Sequence, residues 1–289
     1  MKTAGVVVLY NPDEQVRKNI NSYIDSLDIL YVVDNSSVDN SKMFSGDKLV
    51  YLPNNDNLGI ARALNIGAQR AIGDGYDWLL TMDQDSMFTA QDLDKLKAFL
   101  DLAEKEGSVC GGVSADYEKI GLVSPFHRTK FNQNEVLSGI DSPLMVMTSG
   151  NIINLKAYSE IGGFKDWLFI DTVDFDYCLN LRNHGYEIIR VNDVELSHPL
   201  GDVVFKKFGS RLMYSLNHSP IRRYYIVRNR HYIYDMYIND FPDYCNAEIA
   251  RTRREAAKIV ICENQKLSKL WNMFRGYLDY KKGIKGKKP

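Results

Sequence analysis

The sequence predicts an α/β domain built on a mostly parallel central sheet with flanking helices, followed by a helical C-terminal extension. Three observations carry this. Over the first hundred residues, short apolar runs alternate with segments whose apolar residues recur at helical spacing, the order expected of βα units. Those apolar runs end in polar clusters, at the place where open α/β sheets bind ligands. From about Ala247 the chain becomes basic and helical in pattern.

Each element has its own signal. Residues 5–10 form an apolar run stopped by Asn11-Pro12. Residues 13–27 read as a helix, with Val16, Ile20, Tyr23, Ile24 and Leu27 along one face. A second strand at 29–33 ends in Asp34-Asn35-Ser36-Ser37, and a third at 48–52 is closed by Pro53. Asn57 is the expected N-cap of a helix carrying Ile60, Leu64 and Ile66-Gly67, which Gly73 and Gly75 end. A fourth strand at 76–82 runs into Asp83-Gln84-Asp85-Ser86. Helix at 90–106 and strand at 109–113 follow, and 115–150 mixes short strands with a loop on the acceptor side. Helices are expected at 154–161 and 171–184, a strand at 186–191, and helix again from Pro220. The division expected is a domain at 1–240 and a basic helical extension at 241–289.

With 289 residues, 45% hydrophobic and 25% charged, the chain has the composition of a globular protein with a sizeable core. A net charge of -1 gives no footprint for nucleic acid over the whole molecule. Cys110, Cys178, Cys245 and Cys262 show no CxxC pairing, which points to reduced thiols and a cytoplasmic home. The opening apolar run is too short for a signal segment. No stretch approaches the ~20 apolar residues of a membrane span. Any lipid would be met peripherally, on the inner face of the plasma membrane.

Five constellations could carry chemistry. Asp83-Gln84-Asp85 ends a strand buried on both faces, so two carboxylates reach the sheet edge. A hard divalent cation, Mg²⁺ or Mn²⁺, takes such oxygens and keeps room for phosphate. The same spacing at Asp92–Asp94 and Asp174–Asp176 shows that the tripeptide alone also serves helix caps and turns. Asp34 could accept hydrogen bonds from a nucleoside, or could simply close an Asx-turn. Gly59 lets backbone approach a ligand, and Arg62 one turn later could meet phosphate; a capped amphipathic helix explains them equally well. Asp174 lies in a helical first turn, which keeps a carboxylate ionised as a general base must be, with Asp171 a capping candidate. His198 could ligate a metal, and Arg222, Arg223 and Arg228 could neutralise a diphosphate or a lipid phosphate.

Set in order, these pieces resemble the family 2 glycosyltransferases of GT-A fold, in their rhamnosyltransferase branch. Val7-Val8-Leu9-Tyr10-Asn11-Pro12 and Val32-Val33-Asp34-Asn35-Ser36-Ser37 are similar to that family's opening. Asn57-Leu58-Gly59 with Ala63-Leu64-Asn65 matches its next signature, and residues 76–86 its metal strand. Phe169-Ile170-Asp171-Thr172-Val173-Asp174, His198-Pro199-Leu200-Gly201-Asp202 and Arg223-Tyr224-Tyr225-Ile226-Val227-Arg228-Asn229 suit the branch. The likeness covers about residues 4–235.

The resemblance implies inverting transfer from a nucleotide sugar, with dTDP-rhamnose the expected donor and a glycan or polyprenyl-linked molecule the acceptor, in bacterial cell-surface polysaccharide synthesis. By it, Asp34 contacts the nucleoside. Asp83 and Asp85 hold the ribose-diphosphate and its metal, with His198 a third ligand. Tyr10, Asn11, Asn57, Gly59, Arg62, Arg222, Arg223 and Arg228 complete the donor set, and Asp174 is the base. Many relatives carry Glu-Asp where this chain has Val173-Asp174, which removes any acceptor contact made by that Glu. The tail, 250–289, mixes apolar and basic residues and could lie on an anionic membrane, pack on the domain or join a homodimer. Alternatives in other classes are a catalytically silent sugar-nucleotide or glycan-binding protein and a nucleotidyltransferase. The latter usually carries a Gly- and basic-rich loop after the first strand, and Tyr10-Asn11-Pro12-Asp13 is not one.

Overall fold

The computed structural model describes residues 2–88, 91–109, 115–129, 132, 138–197, 203–208 and 211–288. They group into two compact units, one of residues 1–166 and 173–199, the other of 167–172 and 200–289. The expected boundary at 240 falls inside the second unit.

The first unit runs β1 (Thr3–Leu9), α1 (Glu14–Asn21), β2 (Ile29–Asp34), β3 (Leu49–Pro53), α2 (Ile60–Gly73), β4 (Trp78–Asp83), β5 (Met87–Phe88) and α3 (Asp92–Glu106). It continues with β6 (Ser108–Val109), β7 (Ala115–Asp116), β8 (Ile120–Arg128), β9 (Ile140–Asp141), β10 (Asn151–Asn154), α4 (Leu155–Glu160), α5 (Val173–Asn183) and β11 (Glu187–Ser197). The main sheet has the order β3-β2-β1-β4-β10-β8-β11-β5, with β9 on β11. β3, β2, β1 and β4 are parallel neighbours, and β10 is the antiparallel strand between β4 and β8. β1 and β2 are buried along almost their whole length, which is why they read as continuous apolar runs rather than alternating ones.

This order positions the site. From β1 the chain steps outward to β2 and β3, then returns through α2 to β4 on the other side of β1. The crevice at the carboxyl ends of β1 and β4 is therefore a topological switch point, where such sheets take ligands. The return is tight, because a Cβ on Gly67 of α2 would stand 2.2 Å from the Val6 side chain of β1.

Several boundaries differ from expectation. α1 stops at Asn21, capped by Asp13 at its start, and a separate 3-10 turn spans Ile24–Ser26. The helix expected at 171–184 begins at Val173, since Phe169, Asp171 and Thr172 have φ of 67°, 62° and 64°. Asp171 is thus no helix cap. The strand expected at 109–113 begins as β6, which pairs with β7 in a separate hairpin; residues 110–113 lie outside the described residues.

The second unit holds β12 (Val204–Phe208), β13 (Arg211–Ser215), α6 (Pro220–Tyr237), α7 (Pro242–Cys262) and α8 (Lys266–Lys281). Its apolar core joins Val227, Ile259 and Met273 from the three helices. Backbone meets backbone at Gly276, where a Cβ would lie 2.4 Å from the Tyr224 carbonyl oxygen. A buried charge network also ties the helices together. Arg223 pairs with Glu263 at 2.6 Å and Glu255 at 3.1 Å, and Lys269 pairs with Glu263 at 2.7 Å. Burial alone would raise the Glu263 carboxyl, but Lys269, Ser215 and Arg223 outweigh it and hold its pKa below the ordinary range.

Candidate active site

Register brings the polar strand ends together. Leu9 lies beside Asp34 across β1 and β2, Val8 beside Asp83 across β1 and β4, and Asp34 beside Pro53 across β2 and β3. The loops that follow are then tied to one another. The Asn11 N–H donates to Ser36 Oγ at 2.8 Å, and the Tyr10 N–H donates to Gln84 Oε1 at 2.8 Å. Gln84 Nε2 donates back to the Tyr10 carbonyl at 3.3 Å. Asn11 takes this path at φ 48°, a left-handed geometry that Asn tolerates. Tyr10, 52% exposed, presents its ring at this edge.

Asp83 and Asp85 flank Gln84. While Gln84 is bound to the β1 loop, Asp85 is exposed and Asp83 partly so. The Asp83 N–H donates to Ser149 Oγ at 3.0 Å, and the turn closes with the Ser86 N–H on the Asp83 carbonyl at 3.2 Å. The chemistry of this pair suits a hard cation shared with diphosphate oxygens, which needs only one or two protein carboxylates. No group of three or more His, Cys, Asp or Glu side chains that could hold a metal ion gathers among the described residues. His198, expected as a further ligand, lies outside the described residues.

The segment 148–151 links this edge to Asp174. Because β10 runs antiparallel to β4, with Asn151 opposite Thr81, its leading residues reach the carboxyl end of β4. Gly150 donates to the Thr81 carbonyl at 2.7 Å and sits at φ 83°, where a Cβ would also meet Leu196 at 2.7 Å. Thr81 Oγ1 donates to the Thr148 carbonyl at 2.6 Å. Asp174, in the first turn of α5, lines a small recess with Thr81, Thr148, Asn151, Tyr177 and Cys178. Its Oδ1 accepts the Phe175 N–H at 3.0 Å. Burial pushes the Cys178 thiol up to about 12, so it stays protonated beside the carboxylate. Ser149 and Gly150 carried no motif that sequence reasoning used; a Ser-Gly pair directly before a strand was the available signal.

Other expected residues have different work. Asp34 is 1% exposed, and its oxygens accept from the Ser36 N–H at 2.8 Å, Asn40 Nδ2 at 2.8 Å and the Tyr51 hydroxyl at 2.7 Å. These three bonds shape the loop that follows β2 from within. Burial opposes its charge, but these donors prevail and its pKa falls below the ordinary value. Asn57 does not cap α2: its Oδ1 accepts the Gly59 N–H at 3.0 Å, and Gly59, at φ 85°, occupies the cap position. Arg62 stays on the surface, paired with Asp166 at 2.9 Å. Asn65, part of the same sequence signature, is buried and cross-links Tyr158, Phe164 and Asp166.

The arginines divide. Arg223, expected at a diphosphate, is 1% exposed and has its charge matched by Glu255 and Glu263. Arg228 is wholly buried. It donates to the Gly286 carbonyl at 2.6 Å and to the Trp167 and Leu168 carbonyls at 3.3 Å, with its guanidinium 5.0 Å from the Tyr225 ring centre. Arg222 keeps a 44% exposed side chain and holds Asp171 at 2.5 Å.

Comparison with known proteins gives a consistent picture. Residues 6–161 match the model of the glycosyl transferase family 2. The chain is 29% identical over 237 residues to the dTDP-rhamnosyl transferase RfbF of Shigella flexneri, spanning 78% of this chain and 77% of that protein. Among solved structures, S. aureus TarS 1-349 in complex with UDP-GlcNAc is similar with a TM-score of 0.62 at 14% identity, over 98% of this chain and 82% of that one. GalNAc-T7 with UDP, GalNAc and Mn²⁺ is similar with a TM-score of 0.58 at 13% identity, over 98% of this chain and 58% of that longer one. At such identities the structures attest the GT-A fold, as expected from the sequence.

Proposed function

Because the chain belongs to glycosyl transferase family 2, we propose that this glycosyltransferase moves L-rhamnose from dTDP-rhamnose to a hydroxyl of a glycan or polyprenyl-linked acceptor in polysaccharide synthesis. The observation that carries the reading is the gathering of the β1, β2 and β4 ends with segment 148–151 on one sheet edge, Asp174 lining the adjoining recess. The likeness to RfbF supports rhamnose as the sugar. The nucleotidyltransferase and silent-binder alternatives draw no support from the family match.

In this reading Tyr10 offers its ring to the base, and the backbone around Asn11 and Gly59 lets the donor approach closely. Arg62 remains a candidate for phosphate contact. Asp83 and Asp85 would hold Mg²⁺ or Mn²⁺, which supplies positive charge to the departing diphosphate when bound. Asp174 takes the proton of the acceptor hydroxyl as its oxygen bonds to the anomeric carbon. The bond from that carbon to the diphosphate breaks, its electron pair leaving with dTDP, and attack from the opposite face inverts the centre.

The test is dTDP release and sugar transfer from dTDP-rhamnose with Mn²⁺ or Mg²⁺, beside EDTA and an Asp85→Ala variant. Release that EDTA and the variant abolish is expected. Metal-independent release would remove the cation from the reading, and release only from a UDP-hexose would replace the donor. No release from any sugar nucleotide would leave a binder.

A further inference from the structure

We infer that the solvent-facing side of α8 docks the protein on an anionic lipid surface. The sequence mixes apolar and basic residues through this helix, and the structure sorts them. Lys269, Met273, Gly276 and Asp279 face inward. Leu267, Trp271, Phe274 and Tyr277 face solvent, exposed by 86%, 58%, 51% and 38%. Their spacing of four, three and three residues keeps them on one stripe. Four large apolar side chains in a row on the outside of a helix exceed the scattered exposure that needs no explanation.

Charge identifies the occupant. The second unit carries 19 Lys and Arg against 9 Asp and Glu, a formal charge of +10, although the whole chain stands at -1. Exposed Lys266 stands at the start of α8, and exposed Lys281 and Lys282 at its end. An apolar stripe framed by lysines is the pattern of helices that lie in the headgroup region of anionic bilayers, the stripe buried and the lysine stems reaching outward. Each nearby cation adds to the attraction toward such a surface. A second copy would bring another unit of +10 against the first, so like charge opposes a homodimer through this face. The contact is interfacial, since no helix among the described residues is long and apolar enough to cross a membrane.

The experiment is flotation of the full chain with phosphatidylcholine vesicles and with vesicles enriched in phosphatidylglycerol. It needs no sugar nucleotide, so its outcome is separate from that of the transfer assay. The wild type should float with the anionic vesicles and be released by salt. Trp271→Glu with Phe274→Glu should weaken binding by at least about tenfold, with an unchanged far-ultraviolet spectrum because both positions are exposed. Lys266→Glu with Lys282→Glu should abolish the preference for anionic lipid while sparing the stripe. The inference is overturned if the wild type stays in solution, if it binds neutral vesicles equally well, or if the stripe variant floats undiminished. A dimer in gel filtration that the stripe variant dissolves would likewise overturn it, assigning the face to a second copy.

Discussion

Asp174 and Asp34 show how the same residue type serves opposite ends. Asp174 is partly exposed at a helix start and lines a recess. Asp34 is closed in by three donors. Asp174→Asn keeps the size and the hydrogen-bonding shape but cannot take a proton. Turnover should fall by about 10²–10⁴-fold while the dissociation constant for dTDP changes little, read by initial rates and by calorimetry. Equal rates for variant and wild type would remove Asp174 as the base. The positions of Asp83 and Asp85 at a strand end and of Asp174 in a helical first turn were legible because a local pattern ends at each. Ser149 was not, since the N–H it accepts belongs to Asp83, 66 residues away. The burial of Arg223 and Arg228 was hidden for a related reason. A pattern of Arg and Tyr along α6 looks like a charged face until Glu255, Glu263 and the carbonyls of 167–168 are found around it.

Elements were legible where one period dominates. β1, β2, β4, α2 and α3 follow from runs and spacings, whereas two-residue β5 and β9 exist only through pairing with β11. β8 contains Pro125 and His127, residues that argue against an inner strand, yet it pairs with both β10 and β11. Packing between helices was equally invisible. Gly276 looks like a weak point in α8, but it is the site of closest approach to α6, with the Tyr224 carbonyl oxygen and Arg228 nitrogen at 2.4 and 3.3 Å from a built Cβ. Backbone cannot turn aside as a side chain can. Gly276→Ala should therefore cost about 1–3 kcal/mol, seen as a lower midpoint in urea. Gly73→Ala, at the end of α2 with open space around it, should be neutral or gain up to about 1 kcal/mol. Equal midpoints for the two variants would show that α6 and α8 separate without cost.

At the scale of the whole molecule, charge divides as the units do. The first unit carries 17 Lys and Arg against 28 Asp and Glu, and the second 19 against 9, so the overall charge of -1 conceals two opposite balances. The inclusion of 167–172 in the second unit could not be read locally, because it depends on Asn229 donating to the Leu168, Ile170 and Asp171 carbonyls. The basic balance makes the second unit sensitive to acid at one position. Burial first, and then Arg222 and Arg223, push His218 down to about 4, against opposing effects of Asp171 and Glu255. Above the ordinary imidazole value, near 6.5, folded and unfolded chains both keep it neutral and it contributes nothing to pH dependence. Between there and about 4 the unfolded chain takes up a proton that the folded chain refuses, so stability falls as pH falls. By pH 5 the loss should reach about 2 kcal/mol, and His218→Gln should remove it. Thermal melts of both proteins at pH 7 and pH 5 decide the point: the wild type should lose the larger part of its midpoint, and parallel shifts would mean that His218 is charged in the fold.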